Sequence, residues 1–289
     1  MKQLLRVCLA CGIVFLFVYS FSCQKEKGFN KENIPEGQQR VKIYLSDNPV
    51  NYDAVNVDIQ QVIVQVIPDS CRGRDNNNND CFDDNEYRCS VWDTLDIRAG
   101  VYNLLDLSNG TDTILANGLT LSGRVNKIKL VLGDHNSVVI DSVSYPLTLW
   151  GSQQTVTLQV KGADIDELSA AELQLWLDFD AGGSIVRVSN NRFVLKPKIK
   201  IFVPDLTASI KGKILPGDAK AVVSAIAGGD TLIAIPKHHN GEFKIRGLKD
   251  STAIVFINAT SGNYRDTTIT NVSLKPGKQT DIGTITLKR

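Results

Sequence analysis

The sequence predicts an all-β protein, two β-sandwich domains in tandem, and three observations carry that expectation. Apolar and polar residues alternate in many short runs, turn residues separate the runs at near-regular spacing, and only Ala163 to Ala171 has helix-like composition. The clearest runs fill Leu173 to Phe202, LQLWLDFDAGGSIVRVSNNRFVLKPKIKIF. Alternate side chains of a strand face opposite ways, so Leu173, Leu175, Leu177 and Phe179 share one face and Gln174, Trp176, Asp178 and Asp180 the other. Ala181-Gly182-Gly183 offers a reversal, Ser184 to Val188 runs back, and Ser189-Asn190-Asn191-Arg192 turns again. A third strand sets Phe193, Leu195, Ile199 and Ile201, with Pro197 among them, against Val194, Lys196, Lys198 and Lys200. One strand thus offers acid and another base.

In chain order, Met1 to Ser22 has a short basic start, Lys2 and Arg6, and an apolar run from Val7 to Phe21, shorter than a membrane span requires. It ends in Ser20-Phe21-Ser22-Cys23, which resembles the lipobox of bacterial lipoproteins. The resemblance implies that residues 1–22 are a signal peptide and that Cys23 is acylated, palmitate included, and becomes the mature N-terminus. Residues 23–40 are polar and without period, as expected of a flexible tether. Lys25-Glu26 loosely resembles an outer-membrane sorting signal, so the expected address is the outer membrane, lipid-anchored, on either its periplasmic or its cell-surface face. Loss of Lys2 and Arg6 takes the net charge from +1 to −1, which gives no footing for nucleic acid.

A first domain is expected over 41–203. Val41 to Leu45 and Val55 to Val66 read as strands, followed by an insertion, 69–91, that carries Cys71, Cys81 and Cys89. These three are the disulfide candidates in an exported chain, and three cannot all pair with one another. The insertion also has the oxygen spacing of an EF-hand-type loop, with Asp75, Asn77, Asn79, Asp83 and Glu86 at positions one, three, five, nine and twelve. Position six is Asp80 rather than glycine and neither flank looks helical, so a solvated excursion stapled by cysteines is preferred to a structural Ca²⁺ site. No other cofactor is implied. Trp92 to Ile97, Val101 to Leu107, Val125 to Gly133, Ser137 to Ile140 and Thr155 to Val160 read as further strands, with turn signals at Asn109-Gly110, Asn117-Gly118 and Asp134-His135-Asn136.

Four motifs in register, Leu45-Ser46-Asp47-Asn48-Pro49 with Tyr52-Asp53-Ala54-Val55, Leu104 to Gly110, Tyr145-Pro146-Leu147, and Leu177-Asp178-Phe179-Asp180-Ala181 with Leu195-Lys196-Pro197, resemble a bacterial lipoprotein family known as a domain of unknown function. The resemblance spans roughly Val41 to Phe202 and implies a compartment and a β-rich fold, without a reaction. Thr148-Leu149-Trp150-Gly151-Ser152 departs from the Thr-Pro-Ser-type stretch of that family.

Pro204-Asp205 reads as the joint to a second domain, 206–289. Strand signals run from Ala208 to Leu215, Ala221 to Ile226, Thr231 to Ile235, Gly241 to Leu248, Ile254 to Ala259, Ile269 to Leu274 and Thr280 to Leu287. The Gly-x-Ile-x-Pro opening, the Gly-x-Phe-x-Ile-x-Gly-Leu middle and the Asp-x-Gly-Thr-x-x-Leu end resemble the carboxypeptidase regulatory-like modules, a transthyretin-like sandwich akin to starch-binding domains.

No nucleophile elbow, phosphate loop or dinucleotide fingerprint is present, and His135, His238 and His239 lack metal spacing. Asp178 and Asp180 could be paired carboxylates, but the lysine stripe offers them structural partners. Trp150, beside Gly151, and Trp176, sharing a face with the aspartates, are the candidates for stacking on a sugar ring. The expected function is a non-enzymatic, lipid-anchored envelope protein that binds glycan or another surface ligand; the alternative is a structural or adhesive component that pairs with another envelope protein.

Overall fold

The structure, a computed structural model, describes residues 34–47, 50–72, 89–160 and 172–289. Cys23, most of the insertion and the helix expected at Ala163 to Ala171 lie outside the described residues. Pro35–Arg289 form one unit built on two hydrophobic cores.

The first strand starts inside the expected tether. β1 (Gln38–Asp47) buries Val41, Ile43 and Leu45, and Gln39 Nε2 donates to the Gly123 carbonyl at 2.9 Å. β2 (Ala54–Pro68) buries Val55, Val57 and Ile59 and then, after a bulge between Ile59 and Gln61, Val62, Val64 and Val66. The extra residue switches which parity faces inward, and the core stripe continues past it. β3 (Val91–Ile97) and β4 (Gly100–Asn103) follow. The strand expected to reach Leu107 stops at Asn103, whose Oδ1 accepts from Leu105 N at 3.3 Å and opens a 3₁₀ turn, Leu104–Leu107. Three residues per turn put both Leu104 and Leu107 into the core, which a strand could not do.

β5 (Thr113–Leu121) runs straight through Asn117-Gly118, a turn in the sequence reading. Glycine serves close approach there: a Cβ on Gly118 would stand 3.0 Å from the Leu95 side chain. β6 (Gly123–Leu132), β7 (Ser137–Ile140) and β9 (Thr155–Gln159) fall where alternation expects them, and β8 (Val143–Leu149) carries Tyr145-Pro146-Leu147 within a strand.

β10 (Glu172–Phe179) is the amphipathic strand of the sequence reading. Its predicted hairpin partners are rearranged. After a helical turn, Ala181–Ser184, come β11 (Ile185–Ser189), β12 (Arg192–Leu195) and β13 (Ile199–Phe202). One expected strand becomes two because Lys196-Pro197-Lys198 interrupts it at a residue with no N–H to give. β11 and β12 form a hairpin, β12 pairs in parallel with β8, and β13 pairs with β10. The network runs β11-β12-β8-β7-β2-β3-β5-β1-β10-β13, with β4 and β6 attached beside β2 and β9 beyond β6, and wraps the first core.

The C-terminal body comprises β14 (Ala208–Leu215), β15 (Val222–Ala227), β16 (Asp230–Ala234), β17 (Glu242–Leu248), β18 (Thr252–Asn258), β19 (Thr267–Ser273) and β20 (Gln279–Thr286). A three-stranded sheet, β17-β14-β20, and a four-stranded one, β16-β15-β18-β19, enclose the second core between them. Each strand lies within a residue or two of its sequence expectation, because two-residue alternation and the glycine turns are local signals.

Candidate functional site

Register brings three aromatic rings side by side on the solvent side of the first sheet. Tyr44 on β1 lies opposite Trp176 on β10, and Trp176 lies opposite Phe202 on β13. The Tyr44 and Trp176 rings stack at 4.1 Å with 8° between their planes, and Phe202 tilts against Trp176 at 6.3 Å. Above them, Lys42 Nζ donates to Glu172 Oε1 at 2.7 Å. That bond and one from Gln174 hold the Glu172 carboxyl below its ordinary value against the opposing effect of burial.

The C-terminal body closes over the end of this aromatic row. Asp112 is the hub: its Oδ2 accepts from Trp176 Nε1 at 3.0 Å and from Arg246 Nη1, while Arg246 Nη2 donates to the Gly110 carbonyl. Asn109 Nδ2 donates to the Ile235 carbonyl at 2.7 Å, and Lys200 Nζ meets Asp230 Oδ1 at 3.3 Å. Asn109 and Gly110 have φ of 54° and 80°, and the Lys244 stem lies across Gly110 so closely that a Cβ there would stand 2.6 Å from it. Both the left-handed turn and the space require glycine at 110.

Between the two bodies runs a groove. One part, about 370 Å³, is lined by Trp176, Phe202, Ser209, Lys244, Arg246 and Gln279 among others. A second, about 200 Å³, includes Asp178, Lys200, Asp230 and Lys249, and the two share Phe202, Arg246 and Gly247. An aromatic wall facing convergent hydrogen-bonding groups is the general make-up of a small-ligand site.

The structure therefore brings Trp176 and Asp178 to one groove and separates them from the other candidates. Asp178 sits opposite Lys200 in the β10–β13 register. Asp180 leaves the strand: its φ and ψ are −74° and 85°, and its Oδ1 accepts from Gly183 N at 2.8 Å, capping the turn that follows. The sequence reading that set both aspartates on one strand face carried the alternation one residue too far. Trp150, in the 3₁₀ turn Trp150–Ser152, is 52% exposed, with Lys196 Nζ 5.3 Å from its ring, and it lines neither groove cavity.

Asp75, Asn77, Asn79, Asp83 and Glu86 of the calcium reading, and Cys81, lie outside the described residues. Cys71 and Cys89 flank that segment, with Cys71 Sγ 3.8 Å from the Cys89 carbonyl. His238 and His239 are exposed. The residues that sequence reasoning missed, Asp112 and Arg246, stand 134 positions apart and share no local pattern.

His135 belongs to a different arrangement. Asp58 is 2% exposed; its Oδ1 accepts from Gln60 Nε2, and its Oδ2 accepts from His135 N at 3.2 Å and lies 3.2 Å from His135 Nδ1. Burial alone would raise its pKa, but the bonds from Gln60 and His135 outweigh it and hold the carboxyl below the ordinary aspartate value. The resulting stability is present above about pH 4, the unfolded-state value, and is lost as pH falls through the lower folded value. Asp58→Asn is expected to flatten the fall of the urea midpoint as the pH drops below about 4. An unchanged pH profile in the variant would contradict the pairing.

Fold and site define an all-β protein of two cores with an aromatic-walled groove where they meet. The chain belongs to the family described as Domain of unknown function (DUF4382), whose model matches residues 38–197. No curated protein matches it. Among solved structures it is similar to a chain of a type II cohesin–X-dockerin complex from Acetivibrio cellulolyticus, at 26% identity and a TM-score of 0.22, over 27% of this chain and 56% of that one. It is also similar to the shaft pilin SpaA from Lactobacillus rhamnosus GG, at 10% identity and a TM-score of 0.21, over 87% and 99% of the two chains. The BcpA major pilin subunit of Bacillus cereus follows at 10% identity and a TM-score of 0.23, over 87% and 70%. The first of these matches spans little more than half of the other chain, and at such TM-scores none bears on how this protein works.

Proposed function

We propose that this chain is a non-enzymatic lipoprotein of the bacterial outer membrane, anchored through Cys23, that holds a carbohydrate in the groove between its two bodies. The observation that carries the reading is Trp176, fixed by the Tyr44 stack and the bond to Asp112, in a groove whose other lining includes Ser209, Arg246 and Gln279. An aromatic body with a polar tip beside fixed donors suits a sugar, which offers apolar ring faces and hydroxyls together. Of the two carboxylates considered for hydrolysis, Asp180 caps the turn that follows β10, and only Asp178 lines the groove. The C-terminal body serves in this reading as a carboxypeptidase regulatory-like module that supplies one groove wall.

The test is a glycan array probed with the full chain and its Trp176→Ala, Gln279→Ala and Trp150→Ala variants. Binding is expected to fall in the first two and persist in the third. Gln279 is exposed, so its loss leaves folding intact and isolates the groove. Binding lost only in Trp150→Ala would overturn the groove as the site, and silence across the array would overturn the carbohydrate reading. Metabolic labelling with palmitate, abolished in Cys23→Ala, checks the anchor separately.

A second reading, a structural component that pairs with another envelope protein, has one observation in its favour. Among the described residues β11 pairs on one side only, with β12, and it exposes Val186 and Val188, the latter by 54%. An exposed edge strand with apolar side chains can accept a partner strand. Val188→Pro would then abolish co-purification with envelope proteins while leaving glycan binding unchanged.

A further inference from the structure

Beside the groove, the outer face of the β17-β14-β20 sheet forms a cavity of about 430 Å³ lined by Lys211, Lys213, Lys237 and Lys244 against two acids, Glu242 and Asp281. The charges come from register. Lys211 lies directly opposite Lys244 across β14 and β17, with Lys213 opposite Glu242 one step along the same face. The intervening positions turn inward, with Ile210, Ile214, Phe243 and Ile245 buried in the second core. Like charges facing each other across strands destabilise a sheet, and here a third and a fourth lysine join them.

Compensation is partial. Asp281 accepts from Gly283 N at 2.9 Å and is engaged by Lys211 Nζ at 3.2 Å, and in that order the two hold its carboxyl below the ordinary value. Lys244 is half-buried under Gly110, and burial first, then the charge of Arg246, lowers its affinity for a proton, with Lys211 adding to the effect and Asp112 opposing it. Lys244 also lines the 370 Å³ part of the groove, so the lysine cavity continues the groove past Arg246 along the sheet.

We propose that the lysine cavity on the β17-β14-β20 face binds an anionic substituent, a carboxylate or a sulfate ester, of the glycan held in the groove. The inference rests on the carbohydrate reading of the groove and names the class of sugar: an acidic polysaccharide. An anion between Lys211, Lys213, Lys237 and Lys244 relieves the repulsion that the register imposes. Lys244, which lines both the lysine cavity and the groove, is the residue that links the two sites.

The experiment is calorimetric titration of the full chain with dextran sulfate, polygalacturonate and neutral dextran, repeated with Lys213→Ala/Lys237→Ala. Among the described residues neither lysine takes part in the hydrogen bonds and ion pairs that join the bodies, so the variant is expected to keep its urea midpoint. Binding of at least one anionic probe is expected, weakening with added salt and by about tenfold or more in the double variant. The probe that binds tells sulfate from carboxylate. Neutral dextran bound as tightly as the anionic probes, or anionic binding indifferent to the double variant, would overturn the inference; a neutral glycan that still depends on Gln279 would leave the groove reading standing. Anionic binding lost in the lysine variant but untouched by Gln279→Ala would instead remove the groove reading and leave an independent anion site.

Discussion

Phe179→Ala is expected to lower the free energy of unfolding by about 3–5 kcal/mol, the cost of a large cavity in a core that cannot collapse around it. Phe179 is fully buried, at 0% exposure, and ends the inward stripe Leu173, Leu175, Leu177 of β10. That strand lies between β1 and β13, so neighbours on both sides fix the position of the ring. The check is urea denaturation followed by far-ultraviolet circular dichroism, with the midpoint falling and the slope unchanged. A loss below about 1 kcal/mol would mean that the ring is not close-packed.

The second large effect belongs to the junction. Arg246 and Asp112 leave only 21% and 26% of their side chains exposed, and removing either strands the other together with the Trp176 indole or the Gly110 carbonyl. Arg246→Ala and Asp112→Ala are each expected to cost about 2–3 kcal/mol, with a coupling of about 1–2 kcal/mol in the double-mutant cycle. The native chain from Pro35 onward should unfold in one transition and the Arg246→Ala variant in two. A single unchanged transition in the variant, or additive single effects, would show that the two bodies are joined by something other than this pair.

The parts legible in the sequence were those set by near neighbours. Alternation in 173–179 shows which side of β10 is buried because only the two-residue period is needed, and it also puts Trp176 and Asp178 on the accessible side. Gly151 beside Trp150 signals a turn, and the structure has one there, with Gly151 at a φ of 64°. Pairing is a different matter. That β1 adds in parallel to β10, that β12 adds to β8 and that β13 returns to β10 depends on contacts across long stretches of chain, to which alternation is blind. The same holds for the site: Tyr44, Trp176 and Phe202 become neighbours only through register, and Asp112 meets Arg246 only once both bodies exist. Asn117-Gly118 was misread because a glycine needed for close approach to Leu95 looks the same in sequence as one needed for a turn.

Both bodies close through a parallel pair between an early strand and a late one, β1 with β10 and β14 with β20. Vectorial appearance of the chain, N-terminus first, therefore sets the order in which the two bodies can mature. The first core has no lid until residue 179 is available, and the second none until residue 286, so each body waits for its own last strands with apolar faces uncovered. Such non-local closure is slow and leaves apolar surface of the partly folded chain exposed to aggregation in the meantime. The 108–112 loop waits longest, since Arg246, which pins it, emerges only after the first body is already complete.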